Sequence, residues 1–469
     1  MSALPGILAL VIFLYLRPQD FFDALRDWNL IYILLGMCLL GLLRDVLRRR
    51  IRPAPAPQLG WALLFMLWCL LTLAVRRPSE LLARAPTIVI CVLIYAILAH
   101  GIPRIDALLR VFLLVFAIGL FVAYVGVDQG LSPLQCVVIN PGDTLNALPD
   151  GRPCATDEDQ DDSSARQRAC IETGVPGVMY RCERAGLLGT TSIGGGRVRY
   201  LGMLEDPNDL ALATAMAVPT AFALFQLRRS LPRLALLAAT LALIGAEIVL
   251  TGSRGGQLTF AAVLGAYFVK AYGLRRGLLV GAVLAIPIVF LGGRSDSDAD
   301  DSTLERLGCA CAGLKMLMHN PLLGVGFSRF TENHHLTAHN AYILAAGELG
   351  IPGMALFAFV LYLSLKIPVE VLRLDLGDRA DGRTIKALAM GLLASLGGGA
   401  VGIYFLSWTY HGVLWIQFGL SGALYSVVKV DHPRFSCRLS WREGCLILAG
   451  YLGVLTLWAG YVRFRGAWE

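Results

Sequence analysis

The sequence predicts an all-α fold: a polytopic bundle of transmembrane helices with two sizeable external loops. Hydrophobic residues make up 56% of the 469-residue chain and charged residues only 16%, against about 25% charged residues in a typical soluble domain. The mean hydropathy is +0.63. Many separate apolar runs approach the roughly 20 residues that a helix needs to cross a bilayer, and the sequence lacks the alternation of a transmembrane β-barrel. Helices suit lipid because each satisfies its own backbone hydrogen bonds.

The apolar runs predict about 12–14 transmembrane helices. The first run is interpreted as a retained helix, because no charged segment precedes it and no small-residue cleavage site follows it. The runs fall near residues 3–16, 28–43, 59–75, 86–100, 107–126, 208–226, 234–251, 256–272, 277–292, 341–366, 386–406, 411–428 and 444–461.

Basic segments between the apolar runs predict the orientation of the chain. The densest of them, RDVLRRRIR at 44–52, marks the cytoplasmic side, because Lys and Arg concentrate on the inner side of membranes. Counting crossings from it places the long loops 127–207 and 293–340 outside. The side of the C-terminus stays open, because 386–428 is compatible with a re-entrant segment. The net charge of +7 lies in these short loops, so we expect membrane lipids and no nucleic acid as partners.

The chain therefore divides into five segments. They are the N-terminal transmembrane helices (1–126), an external loop (127–200), a second group of transmembrane helices (201–292), an external loop with candidate catalytic residues (293–340) and the C-terminal transmembrane helices (341–469).

The first external loop contains four cysteines, Cys136, Cys154, Cys170 and Cys182. Four cysteines in one polar extramembrane segment predict two disulfides formed in an oxidising compartment. Three pairings are possible and the sequence does not choose among them. The alternative is a loop with four free thiols on the inner side of the membrane.

Three polar segments stand at the predicted external ends of helices. The first, RVRYLGMLEDPNDLALA (197–213), contains Asp206 and Asn208 on either side of a proline. This triplet is typical of a helix start, where Asp or Asn caps free N–H groups and proline is tolerated. Capping leaves Arg197 and Arg199 unexplained, and an arginine beside a bilayer either pairs with lipid phosphate or has another function.

The second polar segment, LTGSRGGQL (250–258), is a predicted tight turn with one charge, Arg254. Charge at this depth is costly, so it is either paired or functional. Glu247, one to two turns earlier, is the candidate partner for a structural ion pair. Arginine is also suited to hold phosphate, because its planar fork makes two hydrogen bonds at once.

The third polar segment is the stretch 315–353, which holds four of the seven histidines: His319, His334, His335 and His339. His339 stands out because Asn340 and Tyr342 follow it at a predicted helix start. Histidine exchanges protons near neutral pH, as a general base must. Zinc ligation by three of these histidines is the less favoured interpretation, since no carboxylate or cysteine companion is near, and the sequence predicts no metal site.

These segments, in this order, resemble the O-antigen ligase and polymerase family of bacterial membrane glycosyltransferases. The resemblance covers about residues 190–370. Residues 130–190 look like an insertion that is not general to the family. The matching segments are YLGMLEDPNDLALA (200–213), LTGSRGG (250–256), RLGCACAGLKMLMHNPLLGVGFSRF (306–330) and AHNAYILAAGELGIPGMALF (338–357).

The resemblance implies an all-helical GT-C-like enzyme in the bacterial inner membrane, with its active site facing the periplasm. Its donor would be a glycan on undecaprenyl diphosphate, and its acceptor a sugar hydroxyl of lipid A–core or of a lipid-linked repeat unit. No cofactor is implied, because arginines bind the diphosphate.

By motif match, Arg254 and Arg199 carry over as diphosphate-binding residues, with Arg197 a weaker match. His339 carries over as the catalytic residue that activates or orients the acceptor hydroxyl. Arg306 and Arg329 match less well. Possible supporting residues are Asn340, Tyr342, Asp206, Asn208, Glu247 and, from topology alone, His411.

The sequence leaves the acceptor open. A ligase moves a finished glycan onto lipid A–core, a polymerase moves a growing chain onto the next lipid-linked repeat, and some relatives glycosylate protein. A lipid-linked oligosaccharide flippase is the alternative from another class. A flippase predicts inverted repeats with paired broken helices, whereas here the polar segments lie on one predicted side of the membrane.

Overall fold

A computed structural model describes residues 2–26, 28–51, 55–140, 143–149, 152–154, 170, 179–194, 196–291, 296–377 and 380–465. The predicted all-α, polytopic helix bundle is confirmed. The helices are α1 Leu4–Leu16, α2 Asp23–Arg26, α3 Leu30–Leu47, α4 Leu59–Arg76, α5 Leu81–Gly101, α6 Ile105–Leu131, α7 Pro207–Ala215, α8 Val218–Leu227, α9 Leu231–Leu250, α10 Arg254–Tyr272, α11 Leu274–Leu291, α12 Asp296–His319, α13 Phe330–Asn333, α14 Ala341–Arg373, α15 Ala380–Gly402, α16 Gly412–Asp431 and α17 Trp441–Phe464.

Within these described residues, ten segments are long and apolar enough to cross a membrane. Sequence alone predicts about 12–14 crossings. One reason for the difference is α1, which has 13 residues and is shorter than the roughly 20 needed to span a bilayer. The ten segments are Leu30–Leu47, Leu59–Arg76, Pro78–Gly101, Ile105–Leu131, Pro207–Leu227, Leu231–Leu250, Ala341–Arg373, Ala380–Gly402, Gly412–Asp431 and Trp441–Phe464.

A small antiparallel sheet, which the sequence does not predict, lies in the first long loop. Its strands are β1 Leu134–Asn140, β2 Asp143–Pro149 and β3 Met179–Arg184, in the order β2-β1-β3. The strands have six or seven residues each, too short for a period-2 pattern to stand out among loop residues.

The four cysteines of this loop lie side by side. Cys136 faces Cys182 across β1 and β3, and an isolated bridge sets Cys154 opposite Cys170. Disulfides join Cys136 to Cys170 and Cys154 to Cys182, each with Cα atoms 5.8 Å apart. This is one of the three pairings that the sequence left open, and it differs from the alternative with four free thiols. The acidic run DEDQDD (157–162) of the same loop, which the sequence predicts to be a solvated loop tip, lies outside the described residues.

The chain forms two compact units, each built from separate stretches. The first unit comprises Met1–Leu10, Tyr32–Phe112 and Arg294–Glu469, and the second comprises Val11–Ile31 and Leu113–Gly293. These units cut across the five segments predicted along the sequence.

The core of the first unit surrounds α14, which packs against α4, α12, α15 and α16. Phe65, Phe357 and Trp415 are fully buried there, and the Phe65 ring lies 6.0 Å from each of the other two. In the second unit α10 packs against α7 and α11, and the buried rings of Phe222 and Tyr267 lie 4.6 Å apart. Apolar side chains on more than one helix face are typical of helices inside a membrane bundle.

Candidate functional site

The predicted site residues divide between the two units, and each set has its own local structure. Arg197, Arg199, Asp206, Asn208, Glu247 and Arg254 belong to the second unit, whereas His339, Asn340, Tyr342 and His411 belong to the first.

In the second unit, the start of α7 is capped by the predicted triplet. Asp206 is the N-cap residue, and its Oδ1 accepts hydrogen bonds from the backbone N–H of Asn208 at 2.7 Å and from Nδ2 of Asn208 at 2.6 Å. The capping interpretation of this triplet is therefore correct, but it is incomplete. The Oδ1 of Asn208 also accepts a 2.6 Å hydrogen bond from the hydroxyl of Ser253.

Ser253 is in turn the N-cap of α10, and its hydroxyl accepts from the N–H of Gly256 at 2.9 Å. The helix begins two residues earlier than the predicted apolar run, so Arg254 is its first residue rather than part of a turn. The hydrogen bond between Ser253 and Asn208 ties the N-termini of α7 and α10 together. Because each helix N-terminus carries partial positive charge and free N–H groups, the pair favours an anion.

Arg254 is exposed at this paired helix start. Within the described parts of the chain it makes no salt bridge, and in particular none with Glu247. The alternative of a structural Glu247–Arg254 pair is therefore not what the structure contains. Glu247 is instead fully buried, and its Oε2 accepts a 2.8 Å hydrogen bond from the hydroxyl of Thr214.

One backbone and one side-chain hydrogen bond hold Arg199 in place. It is 8% exposed, and its backbone N–H donates to Oε1 of the buried Gln129 at 2.9 Å. Its Nε donates to the carbonyl of Thr191 at 2.9 Å. Burial lowers the pKa of Arg199, and the nearby carboxylates of Glu183 and Glu205 oppose that shift. An arginine remains charged under such conditions, so its cation is fixed in place.

Arg197 lies next to the turn that precedes α10. Its Nε donates to the carbonyl of Thr251 at 2.9 Å, and its backbone pairs with Ile193 in an isolated bridge. The neighbouring Val198 N–H donates to the carbonyl of Leu250. The segment with the two upstream arginines is therefore fastened to the end of α9, immediately before Ser253 and Arg254.

In the first unit, His339 has a backbone φ of 46°. A residue other than glycine adopts this left-handed conformation at a cost of roughly 1–2 kcal/mol, and such strain clusters at functional sites. The following residue, Asn340, is the N-cap of α14. Its Oδ1 accepts from the N–H groups of Tyr342 and Ile343 at 2.9 and 3.0 Å.

Hydrogen bonds on both sides of His339 hold this strained backbone. Before it, the hydroxyls of Thr337 and Ser407 lie 2.9 Å apart. After it, the N–H of Ala341 donates to the carbonyl of Ile403 at 2.9 Å, and the carbonyl of Ala341 accepts from the hydroxyl of Thr409 at 2.8 Å. All three contacts come from the loop between α15 and α16, which thereby positions the half-buried His339.

The same loop ends at His411, which precedes the first residue of α16. Its ring stacks on Trp408 with the centroids 4.1 Å apart. Tyr342 is anchored separately, because its hydroxyl donates to the carbonyl of Ala400 at 2.7 Å. Tyr342 therefore fixes the first turn of α14 to the end of α15.

Glu348, for which the sequence predicts no role, holds the loop that precedes His339. Its side chain is buried, and its carboxylate accepts from the N–H of Ser328 at 2.9 Å and of Phe330 at 2.8 Å. The backbone N–H of Gly326 donates to the Glu348 carbonyl at 2.9 Å. A signal was present, since a carboxylate between glycines in an apolar helix is a functional-site hypothesis by default.

These bonds join the segment NPLLGVG (320–326) to the segment GELGIPG (347–353), which gives a physical reason for the presence of both in one chain. Gly350 has a φ of 67°, which interrupts the helical geometry of α14, and a Cβ there would collide with the carbonyl of Leu322. Next to this interruption the N–H of Ile351 donates to the carbonyl of Pro321 at 2.8 Å. The loop 320–330 therefore packs on the distorted part of α14.

The other histidines of the stretch have their own surroundings. The rings of His334 and His335 lie 4.4 Å apart, and Nδ1 of His319 lies 2.7 Å from the carbonyl of Lys315. Over the described residues, no group of three or more His, Cys, Asp or Glu side chains is arranged to hold a metal ion.

Comparison with known proteins bears on both sets of residues. Residues 238–358 match the family model for O-Antigen ligase, which confirms the family resemblance drawn from the motifs. The match includes Arg254 and His339, whereas Arg199 and His411 lie outside it. No curated protein matches the chain. The chain is thus a multi-pass membrane protein whose residues 238–358 are similar to the O-Antigen ligase family.

Proposed function

We propose, on the premise of this similarity to the O-Antigen ligase family, that the protein is a membrane glycosyltransferase of bacterial surface polysaccharide synthesis. It would move a glycan from undecaprenyl diphosphate to an acceptor sugar hydroxyl at the periplasmic face of the inner membrane. The observation that carries the proposal is the exposed Arg254 at the N-terminus of α10, which Ser253 and Asn208 tie to the N-terminus of α7.

This arrangement suits a diphosphate leaving group. The donor already carries negative charge, and more develops on the diphosphate as its bond to the sugar breaks. Two helix N-termini and a guanidinium that makes no salt bridge within the described part of the chain supply N–H donors and positive charge at one place. Arg199, held by Gln129 and Thr191, would add a second fixed cation. Because these groups are positioned beforehand, no reorganisation is needed at the moment of reaction.

The role proposed for His339 concerns the acceptor. Its imidazole would accept the proton of the acceptor hydroxyl, or orient that hydroxyl, while the acceptor oxygen bonds to the anomeric carbon. The bond between that carbon and the diphosphate oxygen breaks in the same step, and the electron pair leaves with the diphosphate. One such displacement inverts the anomeric configuration. Arginines and helix N-termini balance the leaving-group charge, so the proposed mechanism requires no metal.

Lipid A–core and the next lipid-linked repeat unit are both compatible acceptors, which correspond to a ligase and a polymerase. The residues described so far act on the donor diphosphate and on a generic sugar hydroxyl. They therefore favour neither acceptor over the other, and an experiment is needed to distinguish a ligase from a polymerase.

The test is an assay with the full-length protein in proteoliposomes and an undecaprenyl-diphosphate-linked oligosaccharide. Lipid A–core and the same lipid-linked oligosaccharide are supplied as alternative acceptors, and Arg254→Ala and His339→Ala are assayed alongside. Glycosylated lipid A–core identifies a ligase, and a ladder of lengthened lipid-linked chains identifies a polymerase. Passage of the intact donor across the membrane without transfer would refute the proposal in favour of a flippase.

A further inference from the structure

Three arginines of the first unit pair with one carboxylate near the end of α4, and a fourth arginine belongs to the same region. Glu332 pairs with Arg84 at 2.7 Å and with Arg329 at 2.9 Å, and Arg77 lies 3.8 Å from it. Arg76 joins the group as the last residue of α4. We call Arg76, Arg77, Arg84 and Arg329 the arginine cluster.

The acidic side chains that pair with the arginine cluster do not balance its charge. Glu332 is shared by three guanidinium groups, and Glu80 pairs with Arg84 at 2.6 Å. Among the described residues, three of the four guanidinium groups thus form ion pairs, and they share two carboxylates. Burial disfavours the charged form of Glu332, but the hydrogen bond and charge of Arg329, with the neighbouring arginines, still lower its pKa. The carboxylate is therefore ionised, and an excess of two positive charges remains.

Part of the arginine cluster has a structural task. Arg84 donates to the carbonyl of Ser328 and Arg329 donates to the carbonyl of Val325, the latter at 3.0 Å, so both hold the loop that Glu348 also fastens. Arg77 has no comparable task, since its side chain is 51% exposed and its ion pair with Glu332 is long. A structural role accounts for Arg84 and Arg329, and Arg76 contributes one hydrogen bond to Asn320, whereas Arg77 stays exposed.

Gly326 brings the stems of two of these arginines together. A Cβ at Gly326 would lie 3.1 Å from the Cβ of Arg76 and 3.3 Å from the Cδ of Arg329. The glycine has a φ of 106°, a conformation that glycine adopts without steric cost. The motif NPLLGVG thus leaves room at its second glycine for two guanidinium side chains to lie against the loop backbone.

The arginine cluster includes the end of a candidate membrane span. Arg76 is the last residue of the apolar segment Leu59–Arg76, so we expect Arg76 and Arg77 at the boundary between the apolar core and water, where lipid headgroups lie. Arg76 also donates to the side chain of Asn320, in the loop that the topology prediction places outside. Basic residues concentrate on the opposite, cytoplasmic side of membrane proteins, so orientation does not explain four arginines here.

We propose that the arginine cluster binds the phosphate of an anionic lipid headgroup, with Arg76 and Arg77 as its outer arms. Guanidinium groups suit phosphate because they donate two parallel, charge-assisted hydrogen bonds. The phosphate has two possible sources, a phospholipid of the membrane or a phosphorylated glycolipid acceptor. Lipid binding is measured without glycosyl transfer, so its test stands whether or not the proposed function is correct.

The test measures lipid binding to the delipidated full-length protein by native mass spectrometry. Phosphatidylglycerol and a phosphorylated glycolipid represent the two sources, and zwitterionic phosphatidylcholine is the reference lipid. The double substitution Arg76→Gln/Arg77→Gln should weaken binding of at least one anionic lipid by roughly ten-fold, about the effect of one charge-assisted hydrogen bond, without changing phosphatidylcholine binding. Which anionic lipid responds identifies the source.

For a second variant, the proposal predicts a higher affinity for the anionic lipid. Glu332→Gln removes the carboxylate that competes for three of the guanidinium groups, so it should tighten binding of the same lipid, by roughly three-fold or more. A purely structural cluster predicts a lower unfolding temperature for this variant and no gain in lipid binding. Such a result would overturn the proposal.

The matched control is Arg104→Gln/Arg110→Gln, which removes two exposed arginines that share Asp106 in the same unit. Its effect on anionic lipid binding should stay within about two-fold. An equal loss in the control and in Arg76→Gln/Arg77→Gln would reduce the effect to general charge attraction, and the proposed site would be wrong.

Discussion

The hydroxyl of Ser253 donates a 2.6 Å hydrogen bond to Oδ1 of Asn208. This bond joins two sequence motifs that are about 45 residues apart, DPN and SRGG, and it fixes the start of α10 beside the start of α7. Ser253 also caps α10, and Asn208 donates to Asp206, the residue that caps α7, so one short network sets the position of both N-termini and of Arg254.

Arg254→Ala should lower kcat/KM for glycosyl transfer by about 10²–10³, the effect of losing one positioned donor to a developing negative charge. Arg254→Lys should fall between Ala and the wild type, because lysine keeps the charge and loses the planar fork. The unfolding temperature should not change, since Arg254 is exposed. Steady-state kinetics in proteoliposomes measures the effect.

Arg275→Ala is the control for Arg254, because Arg275 is another exposed arginine of the second unit. Its activity should equal that of the wild type. Similar losses in the two variants would mean that general surface charge, and not the position of Arg254, supports the reaction.

Ser253→Ala should destabilise the protein by about 1–2 kcal/mol, because it removes the α10 cap and the bond to Asn208. A double-mutant cycle with Asn208→Ala should give a coupling energy of about 1 kcal/mol. Activity should fall as well, since the start of α10 loses its fixed position. Denaturant titration in mixed micelles and the transfer assay give the two readouts.

Ser440→Ala is the matched control for Ser253→Ala. Ser440 caps α17 through the N–H of Glu443, and in the first unit its loss should lower stability without lowering activity. Equal activity losses in the two serine variants, or a coupling energy near zero between Ser253 and Asn208, would contradict the role given to this bond.

His339→Ala should lower activity by about 10²–10⁴, the range for a lost general base. His339→Gly should lose as much activity but be more stable than His339→Ala by about 1 kcal/mol, because glycine adopts a φ of 46° without the steric cost borne by alanine. Unfolding temperatures and transfer rates of both variants check the two parts separately. A glycine variant with wild-type activity would remove His339 from the mechanism.

Glu348→Ala should destabilise the first unit by about 3 kcal/mol, because the buried N–H groups of Ser328 and Phe330 lose their acceptor. Glu348→Gln should cost less, since its amide oxygen retains one of the two bonds. The control is Glu370→Ala on the same helix, whose carboxylate makes a surface pair with Arg373 worth at most about 1 kcal/mol. If Glu370→Ala proved the more damaging variant, the role of Glu348 in holding the loop would be wrong.

Composition and apolar periodicity were enough to predict the all-α membrane bundle, because burial in lipid demands long apolar helices wherever the chain crosses. Local motifs also predicted the helix start at Asp206 and the position of Asn340 at the mouth of α14, since capping depends on residues within one turn. The family resemblance followed from the same short motifs and was confirmed by the match over residues 238–358.

Other features depend on contacts between residues far apart in the chain, which no short motif records. The acceptor for the Ser253 hydroxyl, the separation of Glu247 from Arg254 and the contact of Thr337 with Ser407 are of this kind. The small sheet escaped prediction because its short strands are stabilised by pairing and disulfides rather than by local preference.

The sequence by itself determined the membrane class, the helical fold and the residues proposed to handle phosphate and protons, because each of these follows from composition or from neighbours along the chain. Only the tertiary structure decided which of those residues are held in place. Glu348 fastening the loop at Ser328, and Glu332 shared among three arginines, arise where separate helices pack. Hydrogen bonds and ion pairs act over a few ångströms in space, irrespective of distance along the sequence.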